Sequence, residues 1–181
     1  MTKNKKGFTI IEVVLVLAIA GLIFLMVFIA LPALQRSQRN TRRRQDLSRF
    51  VAAINDYQSN NHGKLPNIPA PSSGNYADEN TDWVKKYIIA GSDEGFSDPD
   101  GRYYGFSAQP LTAGASDENG YNVSSTVTSA ASALANHNVI TFGSKLHCEK
   151  NEGYVNHASG DKFFVLLMAL EGGSIACYDN Q

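Results

Sequence analysis

Glu12 stands out among the titratable residues because of where it sits. From Phe8 to Leu34 it is the only ionisable residue, and Val13 to Leu31 is 19 residues without a charge or strongly polar group. A carboxylate at membrane depth is costly unless paired, so it reads as functional by default, and its natural partner is a cationic amine at the same depth. Phe8 lies four residues earlier, one helical turn away. Other groups capable of chemistry are sparse. Two cysteines, Cys148 and Cys177, are too few for a disulfide-dense scaffold or a four-cysteine zinc site. The four histidines His62, His137, His147 and His157 share no motif, and His147-Cys148 is adjacent rather than spaced for zinc. The sequence holds no phosphate-cradling G-x-x-x-x-G-K-[ST] loop and no G-x-S-x-G nucleophile turn. Enzymatic function therefore finds no footing, and no cofactor is implied.

The elements that position Glu12 begin with the apolar run itself. A run of about 20 residues spans the hydrocarbon core of a bilayer. A helix this long with no polar face would need a far larger domain to bury it. A cleaved secretory signal is excluded by length, because its apolar region runs about 7–15 residues before a small-x-small site. The net charge of −1 over 181 residues hides a segregation. Residues 1–6 hold three Lys, residues 36–49 hold six Arg against one Asp, and the chain from Phe50 onward carries seven Lys and Arg against 15 acids.

Beyond the membrane the helix continues. Residues 35–46 are polar on every face, then Leu47, Phe50, Val51, Ile54 and Tyr57 form a helical stripe with one face to bury. Gly63 is expected as the C′ residue, with Pro66 beyond it. The globular part should pack from Leu47 onward and leave an exposed neck, whose arginines are bare on a monomer and either face acidic neighbours in a polymer or stay solvated and bind lipid head groups. Residues 66–98 read as a loop region, with Asp82–Ile88 a short helix placing Trp83 and Tyr87 at i, i+4. Ser97-Asp98-Pro99-Asp100-Gly101 is a turn signature leading into a strand over residues 102–106. Asp93, Glu94, Asp98 and Asp100 read by themselves as solvated acids around a plain turn, and their spacing is not that of an EF-hand loop. Residues 124–135 read as either a weak helix or an ordered loop, and Asn122-Val123-Ser124 matches a glycosylation sequon of low specificity. Strands are expected over residues 139–142, 163–170 and 175–178, with a tight hairpin at Glu171-Gly172-Gly173-Ser174.

The N-terminal sequence Lys-Lys-Gly-Phe-Thr-Ile-Ile-Glu-Val-Val strongly resembles the type III signal of type IV pilins, pseudopilins and competence pilins. The likeness covers about 25 residues, Lys3 to Ala30, and is specific because a basic leader, a Gly, an aromatic and a Glu four residues on all precede an unbroken apolar run. The resemblance implies cleavage between Gly7 and Phe8 by a membrane prepilin peptidase, N-methylation of Phe8, and an assembly role for Glu12 facing the Phe8 amine of a neighbouring subunit. Gly7 suits a cut site because it lacks a Cβ and lets the backbone approach a peptidase in an extended form. The resemblance extends to the C-terminus, where the last strand of pilins carries a Cys, and implies a Cys148–Cys177 disulfide in an oxidising exterior. The turn at Asp98 to Gly101 resembles that of major pseudopilins, where a nearby loop can hold calcium, and the resemblance makes Asp93, Glu94, Asp98 and Asp100 a weak candidate calcium set beside the favoured reading of a plain turn.

Two departures qualify the match. Gly21 fits the family's mid-span Gly, but Ile29 stands at the usual Pro position and the Pro comes later, at Pro32. Any bend should therefore sit at residues 28–31. Three leader Lys against five Arg just after the apolar run also favour the C-terminal side inside the cell, the reverse of a pilin. The leader motif is the more specific signal and is followed here.

The resulting expectation is an α+β, pilin-like subunit whose long N-terminal helix, transmembrane in its first half, packs on a small antiparallel sheet. Its divisions are a leader at 1–7, a transmembrane and filament-core helix at 8–34, an amphipathic continuation at 35–62, and a globular head at 63–181. The implied partners are copies of itself, a prepilin peptidase, an inner-membrane assembly platform with its motor ATPase, and lipid before assembly. DNA or a surface ligand is possible cargo. The expected function is a major pilin, alternatively a secretion pseudopilin or competence pilin. In a different class stands a signal-anchored extracellular binding domain that never polymerises.

Overall fold

The computed structural model describes residues 7–69, 77–78, 81–90, 97–108, 116–117, 120–122, 137–149, 154–157 and 160–181. Residues 124–135 and the Ser of the sequon lie outside them, as do Asp93 and Glu94. The chain divides into two compact units, residues 1–38 and 39–181.

One helix, α1, runs over Ile10–Asn60, through Gly21 and Pro32 without interruption. In the first unit its apolar side chains are exposed all round, with Phe24 at 64% and Phe28 at 75%. No polar face orients this segment, as the sequence requires of a helix whose surroundings come from outside the chain. In the second unit α1 becomes amphipathic. Leu47, Phe50, Ala53 and Ile54 are buried. The helix ends through a Gly63 N–H donated to the Gln58 carbonyl, 2.8 Å. His62, at φ 56°, holds the left-handed C′ position that the sequence assigns to Gly63. The bond from Gly63 back to Gln58 is the six-to-one closure of a Schellman turn, which makes Gly63 the residue after C′.

Among the described residues, the head contains two short helical turns and eight strands. The α2 turn, Asp82–Val84, widens into a π-helical turn over Lys85–Ile89. The strands are β1 (Tyr103–Ala108), β2 (Ser116–Asp117), β3 (Gly120–Asn122), β4 (His137–Ser144), β5 (Leu146–Cys148), β6 (Tyr154–His157), β7 (Phe164–Ala169) and β8 (Ile175–Asp179). They form two four-stranded sheets, ordered β1-β4-β7-β8 and β2-β3-β6-β5. The first is mixed rather than wholly antiparallel, because β1 and β4 pair in parallel. Parallel neighbours need a crossover of a dozen or more residues, and residues 109–136 supply that length. The β7–β8 hairpin is antiparallel, and its turn places Gly172 and Gly173 at φ 96° and 87°. Only glycine adopts such angles without strain.

β7 is buried on both faces, as its unbroken apolar sequence predicts. Phe164, Leu166 and Met168 join the helix-side core with Leu47, Phe50 and Ile54. Val165 and Leu167 join a second core with Leu146, Val155 and Ile175. The period-two alternation of a strand makes this division automatic. The Cys148–Cys177 disulfide joins β5 of one sheet to β8 of the other, with Cα atoms 5.9 Å apart. It staples the layer that has the smaller core.

Candidate functional site

The N-terminal site is built by the start of α1. Gly7, Phe8 and Thr9 precede the helix, and Phe8 is 90% exposed. Phe8 therefore lies outside the helix rather than one turn before Glu12 on it. Thr9 is the helix N-cap. Its backbone N–H and its hydroxyl both donate to Glu12 Oε2 at 2.8 Å, while the Glu12 N–H approaches Thr9 Oγ1 at 3.4 Å. This reciprocal pairing is a capping box, which satisfies helix N–H groups that have no partner within the helix. Glu12 thus has an intramolecular role that the sequence analysis missed, although Thr9-Ile10-Ile11-Glu12 carries its S/T-x-x-E signature. Two donors on one carboxylate oxygen lower the cost of placing it next to an apolar segment. The other oxygen accepts no hydrogen bond among the described residues.

A second cluster of charge lies in the head. Arg43, expected on an exposed neck, is only 4% exposed. Its Nε and Nη2 donate to the two oxygens of Asp98 at 2.6 and 2.9 Å, and Nη2 also donates to Asp100 at 2.7 Å. Nη1 donates to Glu171 at 2.8 Å and to Asn40 at 3.3 Å. Five contacts match the five N–H groups of a guanidinium. Arg39 grips the same Glu171 with two hydrogen bonds of 2.7 and 2.6 Å. Asn40 completes the clasp, donating to the Glu171 carbonyl at 3.0 Å and accepting its N–H at 3.1 Å.

These contacts correct the expected neck. Packing against the head begins at Arg39 rather than Leu47, because the turn at Asp98 to Gly101 and the hairpin at Glu171 bring carboxylates to the helix. Sequence spacing cannot show this, since the partners lie 55 to 132 residues away. Asp98 and Asp100, the weak calcium candidates, both direct oxygens at Arg43. Among the described residues no group of three His, Cys, Asp or Glu is arranged to hold a metal ion.

The electrostatics follow the geometry. Hydrogen bonds from Arg39, against some desolvation and with help from Arg43, hold the Glu171 carboxyl down at about 2. Burial disfavours the charge on Arg43, but the bonds to Asp98 and the neighbouring acids outweigh it and raise the guanidinium's pKa. One turn further along α1, Tyr104 donates its hydroxyl to buried Asp46 at 2.8 Å. Burial raises both the Asp46 carboxyl and the Tyr104 hydroxyl above their ordinary values.

Comparison with known proteins bears on the N-terminus. Residues 2–28 match the family described as the prokaryotic N-terminal methylation motif. No curated protein and no solved structure matches the chain. The motif is the signal of type IV prepilins, and α1 is long and apolar enough to span a membrane. Joined to the small mixed sheet, these features fit a membrane-anchored precursor and then a pilus, and they support assignment of the chain to the type IV pilin and pseudopilin family.

Proposed function

We propose that this chain is a structural subunit, specifically the major pilin, of a type IV pilus-like filament. The observation that carries the reading is the methylation motif at residues 2–28, which runs into an apolar helix whose side chains find no cover among the described residues. A prepilin peptidase cuts between Gly7 and Phe8, and the new Phe8 amine is methylated. The leader lysines leave with the cut, and the apolar helix stays in the membrane. An inner-membrane platform, driven by a motor ATPase, then transfers it from lipid into a bundle of its own copies. Lipid tails and packed helices are similarly apolar solvents, so the transfer is governed by packing and by polar pairing rather than by hydrophobic burial.

Glu12 supplies that pairing. In an incoming subunit its carboxylate is held by Thr9, and the Phe8 amine of a neighbour offers a full positive charge instead. The Thr9 donors are neutral, so the amine adds an attraction between two full charges that grows at low dielectric, and the exchange favours the register that brings amine and carboxylate together. The head, with its disulfide and ion pairs, forms the outer surface. Its possible roles, adhesion, motility or DNA uptake, belong to the assembled filament.

Intact mass and N-terminal peptide mass of the protein from its native cells test this reading. The expected chain starts at Phe8, is heavier by one methyl group and is lighter by the two hydrogens of the Cys148–Cys177 bond. Imaging of sheared surface filaments should then find this chain as the bulk component. A minor share would demote it to a minor or competence pilin, and filaments confined to the periplasm would make it a pseudopilin. A chain that keeps residues 1–7 and does not polymerise would instead be a signal-anchored binding domain.

A further inference from the structure

We propose that the head carries a binding cleft for a neutral saccharide between the end of α1 and the α2 turn. The cleft has a volume of about 420 Å³ and is lined by Tyr57, Trp83 and Tyr87 together with Asn67, Asp82 and Lys86. That volume lies within the range of about 300–1,000 Å³ typical of small-molecule sites. Tyr57 stands edge-on to both other rings, 6.3 Å from Trp83 at 69° and 5.3 Å from Tyr87 at 70°. Trp83 in turn rests on Phe106 of the core, 5.2 Å between centroids. The aromatics are therefore anchored from below, while Tyr57 and Tyr87 remain only partly buried. The π-helical turn, closed by the Ala90 N–H on the Lys85 carbonyl at 2.9 Å, sets Lys86 and Tyr87 at the rim. Such turns are rare and recur at functional sites.

An aromatic cluster of this kind is most often a satellite of the core. Its polar rim argues otherwise. Among the described residues, the Asn67 amide, the Asp82 carboxylate and the Tyr57 and Tyr87 hydroxyls make no hydrogen bond. The buried Trp83 Nε1 has no acceptor either. Buried donors are as a rule paired, so an unpaired Trp83 Nε1 beside a cleft rimmed by the water-exposed Asn67 and Asp82 marks a place where a ligand can supply the acceptor.

The chemistry selects the ligand class. Asp82 and Lys86 oppose each other in sign, so the cleft offers no net charge to a charged ligand. Lys86 Nζ already sits 5.2 Å from the Tyr87 ring centroid, which occupies the face that a ligand ammonium would need. What remains are apolar ring surfaces beside amide, carboxylate and hydroxyl groups. A sugar ring matches both, with its C–H face toward the aromatics and its hydroxyls toward Asn67 and Asp82. Binding here does not depend on polymerisation.

Trp83 is the sole tryptophan of the chain, so the tryptophan emission of the folded protein comes from this cleft. The full chain in detergent micelles is titrated with cellobiose, lactose and N,N′-diacetylchitobiose, and with glycerol and tetramethylammonium as comparisons. At least one disaccharide should shift the emission saturably, while glycerol and tetramethylammonium should not. Asn67→Ala and Asp82→Ala should each weaken that binding about tenfold, the loss of one hydrogen bond, without altering the emission of the unliganded protein. Both residues lie at the surface and neither supports the core. A flat response to all three disaccharides overturns the proposal. So do variants that titrate like the parent, or saturation by tetramethylammonium alone.

Discussion

Two stretches of the same helix present opposite solutions to burying apolar surface. Between Phe8 and Leu34 every large apolar side chain is exposed, with Leu22 at 63%, whereas Leu47 and Ile54 in the second unit are fully buried. The first stretch has no polar face and must take its environment from lipid or from other copies. The second has a stripe, a sheet to pack on, and a ring of charge at its start. The comparison teaches that helical propensity is common to both while stability is not. The head's stability is written in its own contacts, and the apolar half contributes nothing to it that a single chain can show.

Breaking the charge cluster should separate the two regions most sharply. Arg43→Ala leaves Asp98, which is 3% exposed, as a buried carboxylate without its main partner. The expected loss is about 3–5 kcal/mol of head stability. Chemical denaturation of the full chain in detergent, followed by Trp83 fluorescence, measures it. Membrane insertion should not change.

Removing the disulfide comes next. Cys148 and Cys177 are separated by 29 residues, and loop entropy puts the cost of replacing both by Ser at about 3–4 kcal/mol. The loss should appear first in the second core around Val155 and Leu146. Hydrogen exchange that opens uniformly over both sheets would refute this localisation.

A smaller effect is expected from acid. The Glu171 carboxyl ionises at about 2 in the fold against an ordinary value of 4.5, so its contribution is fully present above 4.5 and is lost as the pH falls toward 2. With a quarter of its side chain in water, about 1 kcal/mol is at stake. Glu171→Gln should flatten that part of the stability profile. Buried Asp46 acts in the opposite sense, because its raised value makes protonation favour the fold, so the Gln variant isolates the two.

The smallest effect should come from the apolar half. Phe24→Ala is expected to leave head stability within about 0.5 kcal/mol, since Phe24 is 64% exposed and nothing among the described residues covers it. The same substitution should impair filament formation if copies supply its cover. A destabilised head would show that the two units share energy, against the comparison drawn above.

How much the sequence disclosed varies by element. The apolar run, the stripe from Leu47, the hairpin at Glu171 and the doubly buried β7 were legible, because each depends on residues within a few positions of one another. The turn at Asp98 to Gly101 was also legible, but its purpose was not. Asp98 reads as a solvated acid until the fold brings it to Arg43. The parallel pairing of β1 with β4 was hidden because local pattern specifies a strand and not its neighbour. The capping box at Thr9 and Glu12 is local and carries its S/T-x-x-E signature, but the same Glu12 also fits a partner outside the chain, and the sequence does not say which of the two it meets.

The sequence by itself determined a helix long and apolar enough to span a membrane, the prepilin signal and the family that signal supports, since hydropathy and a contiguous motif need no folding to exist. Only the tertiary structure decided which arginines are buried, which carboxylates they hold, and that Tyr57, Trp83 and Tyr87 share one cleft with Asn67 and Asp82. Those are encounters between groups distant along the chain. Their energies depend on desolvation and angle, which exist only once the helix has docked on the sheet.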